Sequence, residues 1–162
     1  MVPHGLDNVG GMVYAHFVNV VAFQEDGGEN MATGQEWTKV VDGGKQKTIL
    51  LIEDDPIFSK ILVWMISRHT PHHVVHISNG SQILEKMSES QPSLLVLDYD
   101  LPGMNGIEVY DLVHETAGME HIPAVMASAS LPHEELVQRN IVGISKPCRT
   151  EEFLRVIEKA LG

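Results

Sequence analysis

One cysteine, Cys148, stands in 162 residues, so no intrachain disulfide can form. That absence argues against a cross-linked secreted scaffold. Basic residues are also scarce: 11 Lys and Arg face 22 Asp and Glu, for a formal net charge of −11. The shortage speaks against an autonomous nucleic-acid-binding module, which carries a basic footprint, and against a protein drawn to anionic membrane surfaces. No apolar run approaches the ~20 residues that cross a bilayer. Residues 1–11 lack the basic start and apolar stretch of a signal peptide. A cytoplasmic, reducing location is therefore expected. What is present is a core: 43% hydrophobic and 20% charged residues describe a globular chain, long enough for one domain and something extra.

The extra part is residues 1–46, read as an N-terminal extension without an assigned role. Eight glycines fall in it, a density that disfavours regular structure. Six acidic residues there face Lys39 and Lys45 alone. Met12 to Phe23, rich in Val, Phe and Tyr, reads as a strand or a short helix and is too short to make its own core. Gly27-Gly28-Glu29 can be encoded by a purine-rich tract of the kind that precedes a bacterial start codon. Met31 is accordingly a candidate native start, which the mass of the endogenous protein would check.

From residue 47 onward the pattern is regular. Apolar runs at Ile49 to Ile52, His73 to Ile77, Leu94 to Leu97, Ile122 to Ala127 and Ile141 to Ser145 read as strands. Between them lie helical stripes. The first runs from Pro56 to about Ser67, with Asp55 as N-cap. The second is marked by Ile83, Leu84 and Met87 after an Asn79-Gly80 turn. The third spans Gly106 to Thr116, the fourth is a short one from Pro132 to Gln138, and the last carries Phe153, Ile157, Ala160 and Leu161, with Thr150 as its cap. Alternating strands and helices imply an α/β fold with a doubly wound, five-stranded parallel sheet over residues 47–162.

The residues that follow the strands carry the chemistry. Glu53 and Asp54 follow the first, Asp98 the third, Ser128 the fourth, and Lys146 with Pro147 the fifth. Strand C-termini of such a sheet share one edge, where its ligands bind. Three crowded carboxylates repel one another unless a hard cation sits among them, and Mg²⁺ suits few carboxylates plus water and phosphate oxygens. A carboxylate can itself be a nucleophile toward phosphorus. Asp98 then reads as a phosphoacceptor, Glu53 and Asp54 as metal carriers, Lys146 as a charge clamp and Ser128 as an oxygen partner. Each alone has a plainer role as a cap, turn or surface charge. Five at successive strand ends share no such explanation.

ILLIEDDP (49–56), SNGSQILEKM (78–87), PSLLVLDYDLPGMNG (92–106), Ser128-Ala129 and Lys146-Pro147 occur in the order found in bacterial response-regulator receiver domains, which residues 47–162 resemble throughout. The resemblance implies a flavodoxin-like receiver fold with strand order 2-1-3-4-5, the order the family shares. It implies phosphoryl transfer to Asp98 from a histidine kinase or histidine phosphotransfer protein. Mg²⁺ would be held by Glu53, Asp54, Asp98 and the backbone carbonyl of Asp100. Ser128 would be the switch hydroxyl, and Lys146 the family's lysine, followed by a cis bond to Pro147. The output would be a changed protein-binding face on helix 4, strand 5 and helix 5, read by a downstream protein target or used in a homodimer, with no nucleic acid bound by the domain itself. Such a domain catalyses only its own phosphorylation and dephosphorylation. Two departures stand out. Gly143 occupies the position of the family's switch aromatic, and Asp100 adds a carboxylate that is expected to alter the rate of dephosphorylation.

Rival readings are weaker. Asp98-Tyr99-Asp100 also resembles the opening motif of haloacid-dehalogenase-like phosphatases, but only 16 residues follow Lys146 and no acidic pair completes that order. A flavodoxin-like cofactor module would place phosphate against Glu53-Asp54-Asp55, which would repel it. A stand-alone relay intermediate and a non-phosphorylated pseudo-receiver complete the alternatives, the latter opposed by the full set of acceptor-site residues. His69, His72, His73 and His76 read as a loop and an edge strand rather than a metal site. Cys148, near a helix N-terminus, could have a lowered pKa, though a structural role is expected. Trp64, Met65, Met87 and Met126 read as packing.

Overall fold

The computed structural model describes residues 45–162. The readings on Met12 to Phe23 and on Met31 lie outside the described residues. The strands are β1 (Thr48–Ile52), β2 (His73–Ile77), β3 (Leu94–Leu97), β4 (Ala124–Ser128) and β5 (Val142–Ser145). The helices are α1 (Pro56–His69), α2 (Ile83–Ser90), α3 (Gly106–His114), α4 (His133–Arg139) and α5 (Thr150–Leu161), with a 3₁₀ turn at Gly80–Gln82 before α2. All strand pairs are parallel, in the order β2-β1-β3-β4-β5.

The three central strands explain their own composition. Every residue of β3 and β4 is buried, as is β1 beyond Thr48. Helices cover both faces of a parallel sheet, so a central strand must be apolar on both sides. Burying one Leu or Ile there contributes roughly 1.5–3 kcal/mol. Leu50, Ile52, Leu95, Leu97 and Met126 meet Ile83, Met87 and Val109 of the helices in one core. The edge strands β2 and β5 are only partly buried, which is why their sequences mix polar with apolar residues.

Element ends depart from expectation for local reasons. β4 begins at Ala124 rather than Ile122; Pro123 has no N–H to give a ladder, although its carbonyl accepts from Leu95 N at 3.0 Å. Helix α1 runs on to His69. Asp55 is its N-cap, as expected, and its Oδ1 accepts from the amides of Ile57 and Phe58, both at 2.8 Å. Thr150 is not the cap of α5. It is the first helical residue, and Arg149 takes the cap position without a side-chain hydrogen bond.

The register aligns the strand ends. Ile52 lies opposite Leu97, so Glu53 and Asp98 follow side by side. Ser128 lies opposite Ser145, so Lys146 follows beside it. Main-chain bonds continue past the ladders: Asp98 N donates to Ile52 O at 2.9 Å, Glu53 N to Ile77 O at 3.1 Å, and Lys146 N to Ser128 O at 2.9 Å.

Helix α3 is pressed against this edge. Its N-cap Asn105 accepts from Ile107 N and Glu108 N, and Glu108 Oε2 accepts in return from Asn105 N at 2.8 Å. Gly106 opens the helix so close to the Asp98 carbonyl that a Cβ there would lie 2.3 Å from the oxygen. Gly106→Ala is expected to destabilise the protein by about 1–3 kcal/mol, the scale of overpacking. Urea unfolding checks this: the midpoint should fall with the slope unchanged.

Candidate functional site

Each predicted site residue arrives at one place. Asp98, Glu53 and Ser128 are 8%, 1% and 0% exposed, so their polar groups must find partners within the protein. Lys146 supplies one. Its Nζ lies 2.6 Å from Glu53 Oε2 and 3.3 Å from Asp98 Oδ1. The ammonium also stands 4.3 Å from the centroid of the Phe58 ring, in cation–π contact. Glu53 Oε1 accepts from Asp55 N at 3.2 Å, which folds the acidic turn back on itself. The peptide bond between Lys146 and Pro147 is cis, in agreement with expectation.

Glu53, Asp54 and Asp98 offer carboxylate oxygens that all lie within 4.8 Å of one another. Among the described residues they form the group of three or more His, Cys, Asp or Glu side chains close enough to hold a metal ion. Asp54 is the exposed member, so the cluster opens to solvent on one side. Burial raises the pKa of Glu53 above the usual carboxylate value; the hydrogen bond and charge of Lys146 pull it down in part, and the neighbouring Asp98 pushes it up again. One lysine does not offset the cost of burying this carboxylate.

Ser128 Oγ donates to Asp100 Oδ2 at 3.3 Å and accepts from Ser130 N at 3.1 Å. Asp100 itself is exposed on the loop after β3. That loop is closed by main-chain bonds to Tyr99 O, from Leu101 N at 3.1 Å and Gly106 N at 2.9 Å.

The histidines serve separately. His72 Nδ1 accepts from Lys47 N at 3.3 Å, and its Nε2 lies 3.4 Å from Glu158 Oε1. His69 packs edge-on to Trp64 with ring centroids 5.6 Å apart. His76 Nε2 donates to Glu53 O at 2.9 Å. His69 ends α1 rather than lying in a loop, while His73 and His76 stand on edge strand β2; the separate partners of His69, His72 and His76 speak against a shared metal site. Cys148 is buried, and burial raises its thiol pKa, with the charge of Glu152 adding to the effect. The thiol is thus raised rather than lowered, and its burial fits the structural role expected of it.

Three residues of the site escaped the sequence. Phe58 lies in the first turn of α1, four residues after Asp54, where side chains lean back toward the strand ends. His76 looked like an ordinary edge-strand residue and instead pins the Glu53 carbonyl. Gly106 followed a cap residue and gave no sign of its contact with Asp98. Gly143 shows how the missing aromatic is accommodated. A Cβ there would meet Leu136 Cδ1 at 2.7 Å and Leu131 Cδ1 at 3.1 Å. The two leucines lie over β5, and glycine is what lets them approach.

Comparisons with known proteins agree with this geometry. A family model described as the response regulator receiver domain matches residues 49–158. The polar-differentiation response regulator DivK of Brucella anthropi is 28% identical over 120 residues, covering 72% of this chain and 97% of that protein. The DNA-binding response regulator MtrA of Mycolicibacterium smegmatis is 34% identical over 120 residues, and the match spans 51% of its length. The receiver domain of a sensor histidine kinase from Pseudomonas aeruginosa, solved with magnesium in its active-site cleft, superposes with a TM-score of 0.65 at 20% identity, covering 73% of this chain and 99% of that one. Chemotaxis protein CheY4 of Vibrio cholerae gives a TM-score of 0.65 at 18% identity, covering 72% and 99%. At these identities the two structures establish the fold alone. The haloacid-dehalogenase-like reading is not favoured. By its matched span, its strand order and its fold, the chain belongs to the response regulator receiver domain family of two-component signalling.

Proposed function

We propose that Asp98 is the residue phosphorylated, with Glu53, Asp54, Asp98 and the backbone carbonyl of Asp100 holding Mg²⁺. The observation that carries this reading is Lys146 set between Glu53 and Asp98. An Asp98 oxygen attacks phosphorus while the P–N bond of a phosphohistidine on a kinase or phosphotransfer protein breaks. The imidazole leaves with the bond pair and takes up a proton. Little else is asked of the protein, since phosphoryl transfer is largely positioning and charge stabilisation. Lys146 faces the oxygens of the transferred group, and Ser128 offers its hydroxyl to one of them. Hydrolysis of the aspartyl phosphate by water closes the cycle, and the domain catalyses only its own phosphorylation and dephosphorylation.

The donor set fits a small, hard divalent cation. Three carboxylates within 4.8 Å of one another share one ammonium, which leaves two formal negative charges. All donors are oxygen, as Mg²⁺ prefers. Bound there, Mg²⁺ would neutralise that excess and charge on the phosphoryl oxygens.

The receiver is taken as residues 47–162, with 1–46 as an extension. Among the described residues no helix is long and apolar enough to cross a membrane. A cytoplasmic site of action fits a kinase or phosphotransfer protein as donor. A downstream protein reads the output through the face of α4, β5 and α5, which a homodimer could share.

Two outcomes test the reading. Mg²⁺-dependent labelling by acetyl phosphate should give one phosphoryl group per chain, absent in Asp98→Asn and after chelation. Labelling that persists in Asp98→Asn would refute the assignment. Glu53→Gln bears on the metal. A buried acid whose folded pKa is raised costs stability above that pKa, and the cost is relieved as pH falls. The cost is thus larger at neutral pH than at acidic pH. The substitution should therefore raise the metal-free melting temperature by about 2–5 °C. It should also weaken Mg²⁺ binding by about tenfold or more. Calorimetry of the Mg²⁺-free and Mg²⁺-loaded forms reads both.

A further inference from the structure

Ser128 has one hydroxyl proton, and in the resting site that proton is committed to Asp100 Oδ2 at 3.3 Å. One of its two lone pairs is engaged as well, by Ser130 N at 3.1 Å. The side chain is fully buried, so water cannot offer a substitute acceptor. Asp100 is exposed, and its carboxylate is not needed to build the loop it stands on, because Leu101 N and Gly106 N both bond to Tyr99 O. Asp100 is thus a charged acceptor held against a hydroxyl that a phosphoryl oxygen on Asp98 would also require.

We propose that the Asp100 carboxylate is a latch on Ser128, holding the hydroxyl in the resting arrangement and setting how readily the site passes to its phosphorylated one. The inference rests on the phosphoacceptor reading and adds to it a residue that controls the switch. Asp100 is a positioning residue here: its side chain acts through Ser128. A hydroxyl can donate to one acceptor at a time. A phosphoryl oxygen must take the proton from Asp100, and the two negative groups must then separate. Both requirements bias the site toward rest. The hydroxyl–carboxylate contact is long for its type, so the bias is modest rather than absolute. Since Asp100 has no role in folding the loop, its removal should favour the phosphorylated arrangement rather than damage the site.

The experiment is calorimetric titration of the full chain with beryllofluoride, a phosphoryl mimic, at saturating Mg²⁺, with Mg²⁺ alone titrated first. Asp100→Ala should bind beryllofluoride about tenfold more tightly than the unaltered protein, equivalent to about 1.4 kcal/mol. Asp100→Asn, which keeps an acceptor oxygen without the charge, should gain about threefold, between the two. In a Ser128→Ala background, Asp100→Ala should change the affinity less than twofold, because the latch has nothing to hold. Equal tightening in both backgrounds would overturn the proposal, since it would mean repulsion without a latch. Unchanged or weaker binding by Asp100→Ala would overturn it as well. Should Ser128→Ala fail to fold, Asp100→Asn decides: a latch requires Asn to fall between Asp and Ala, and an Asn equal to Ala would mean repulsion without a latch and would overturn the proposal. Failure of the unaltered protein to bind beryllofluoride would count against the phosphoacceptor reading itself, and so is distinct from failure of the latch.

Discussion

The contact on which the site depends is that of Lys146 with Glu53 and Asp98. An ammonium 2.6 Å from one buried carboxylate and 3.3 Å from another makes their proximity tolerable. Without it, Glu53 and Asp98 would be like charges at adjacent strand ends in a largely water-excluded place. Fold and charge are joined at this point. Parallel pairing in the order β2-β1-β3-β4-β5 is what brings residues 53, 98 and 146 to one edge, although 93 positions separate Glu53 from Lys146. Phe58 then limits the directions open to the lysine. The pair does not satisfy the site, as the raised pKa of Glu53 shows. Residual negative charge held on rigid strands is a standing attraction for a divalent cation, and the protein bears a stability cost for it.

Much of this was legible in the sequence because central parallel strands leave little latitude. A strand buried on both faces must be an unbroken apolar run, and Ile49 to Ile52 and Leu94 to Leu97 are such runs. The acidic, hydroxyl and lysine residues next to these runs inherit their positions from the sheet, so their convergence could be inferred before any geometry was known. Edge elements were less legible for the same reason. Half-exposed β2 and β5 carry mixed sequences, and their ends are set by neighbours rather than by composition. The start of β4 turned on Pro123, and the start of α5 on backbone geometry at Arg149 that no side chain announces.

What the sequence concealed depends on distances between remote segments. Gly106 could have been any helix-opening glycine; only the approach of α3 to the Asp98 carbonyl gives it a reason. His76 belongs to β2, yet its ring serves the carbonyl of Glu53, 23 residues away. The Asp100–Ser128 bond joins the loop after β3 to the last residue of β4, 28 residues away. Cys148 is expected from the sequence to be structural, and it is buried; that burial, which the sequence alone does not show, raises its thiol pKa.

The region beyond Ser128 shows how a motif can be lost while its geometry is kept coherent. With Gly143 on β5, Leu131 and Leu136 lie where a side chain at that position would otherwise project. Helix α4 is held from its other end by Arg139, whose Nε and Nη2 grip Asp111 of α3 at 2.6 and 2.8 Å, while Tyr110 Oη donates to Arg139 O at 3.2 Å. Ser128 lies three residues before Leu131. A shift of the Ser128 hydroxyl toward Asp98 would pull on the connection that carries Leu131, and Leu131 shares its contact over Gly143 with Leu136 of α4. The bidentate Arg139–Asp111 pair fixes the far end of α4 to α3. Two leucines above a glycine thus fill the place on β5 where the family resemblance leads one to expect an aromatic ring.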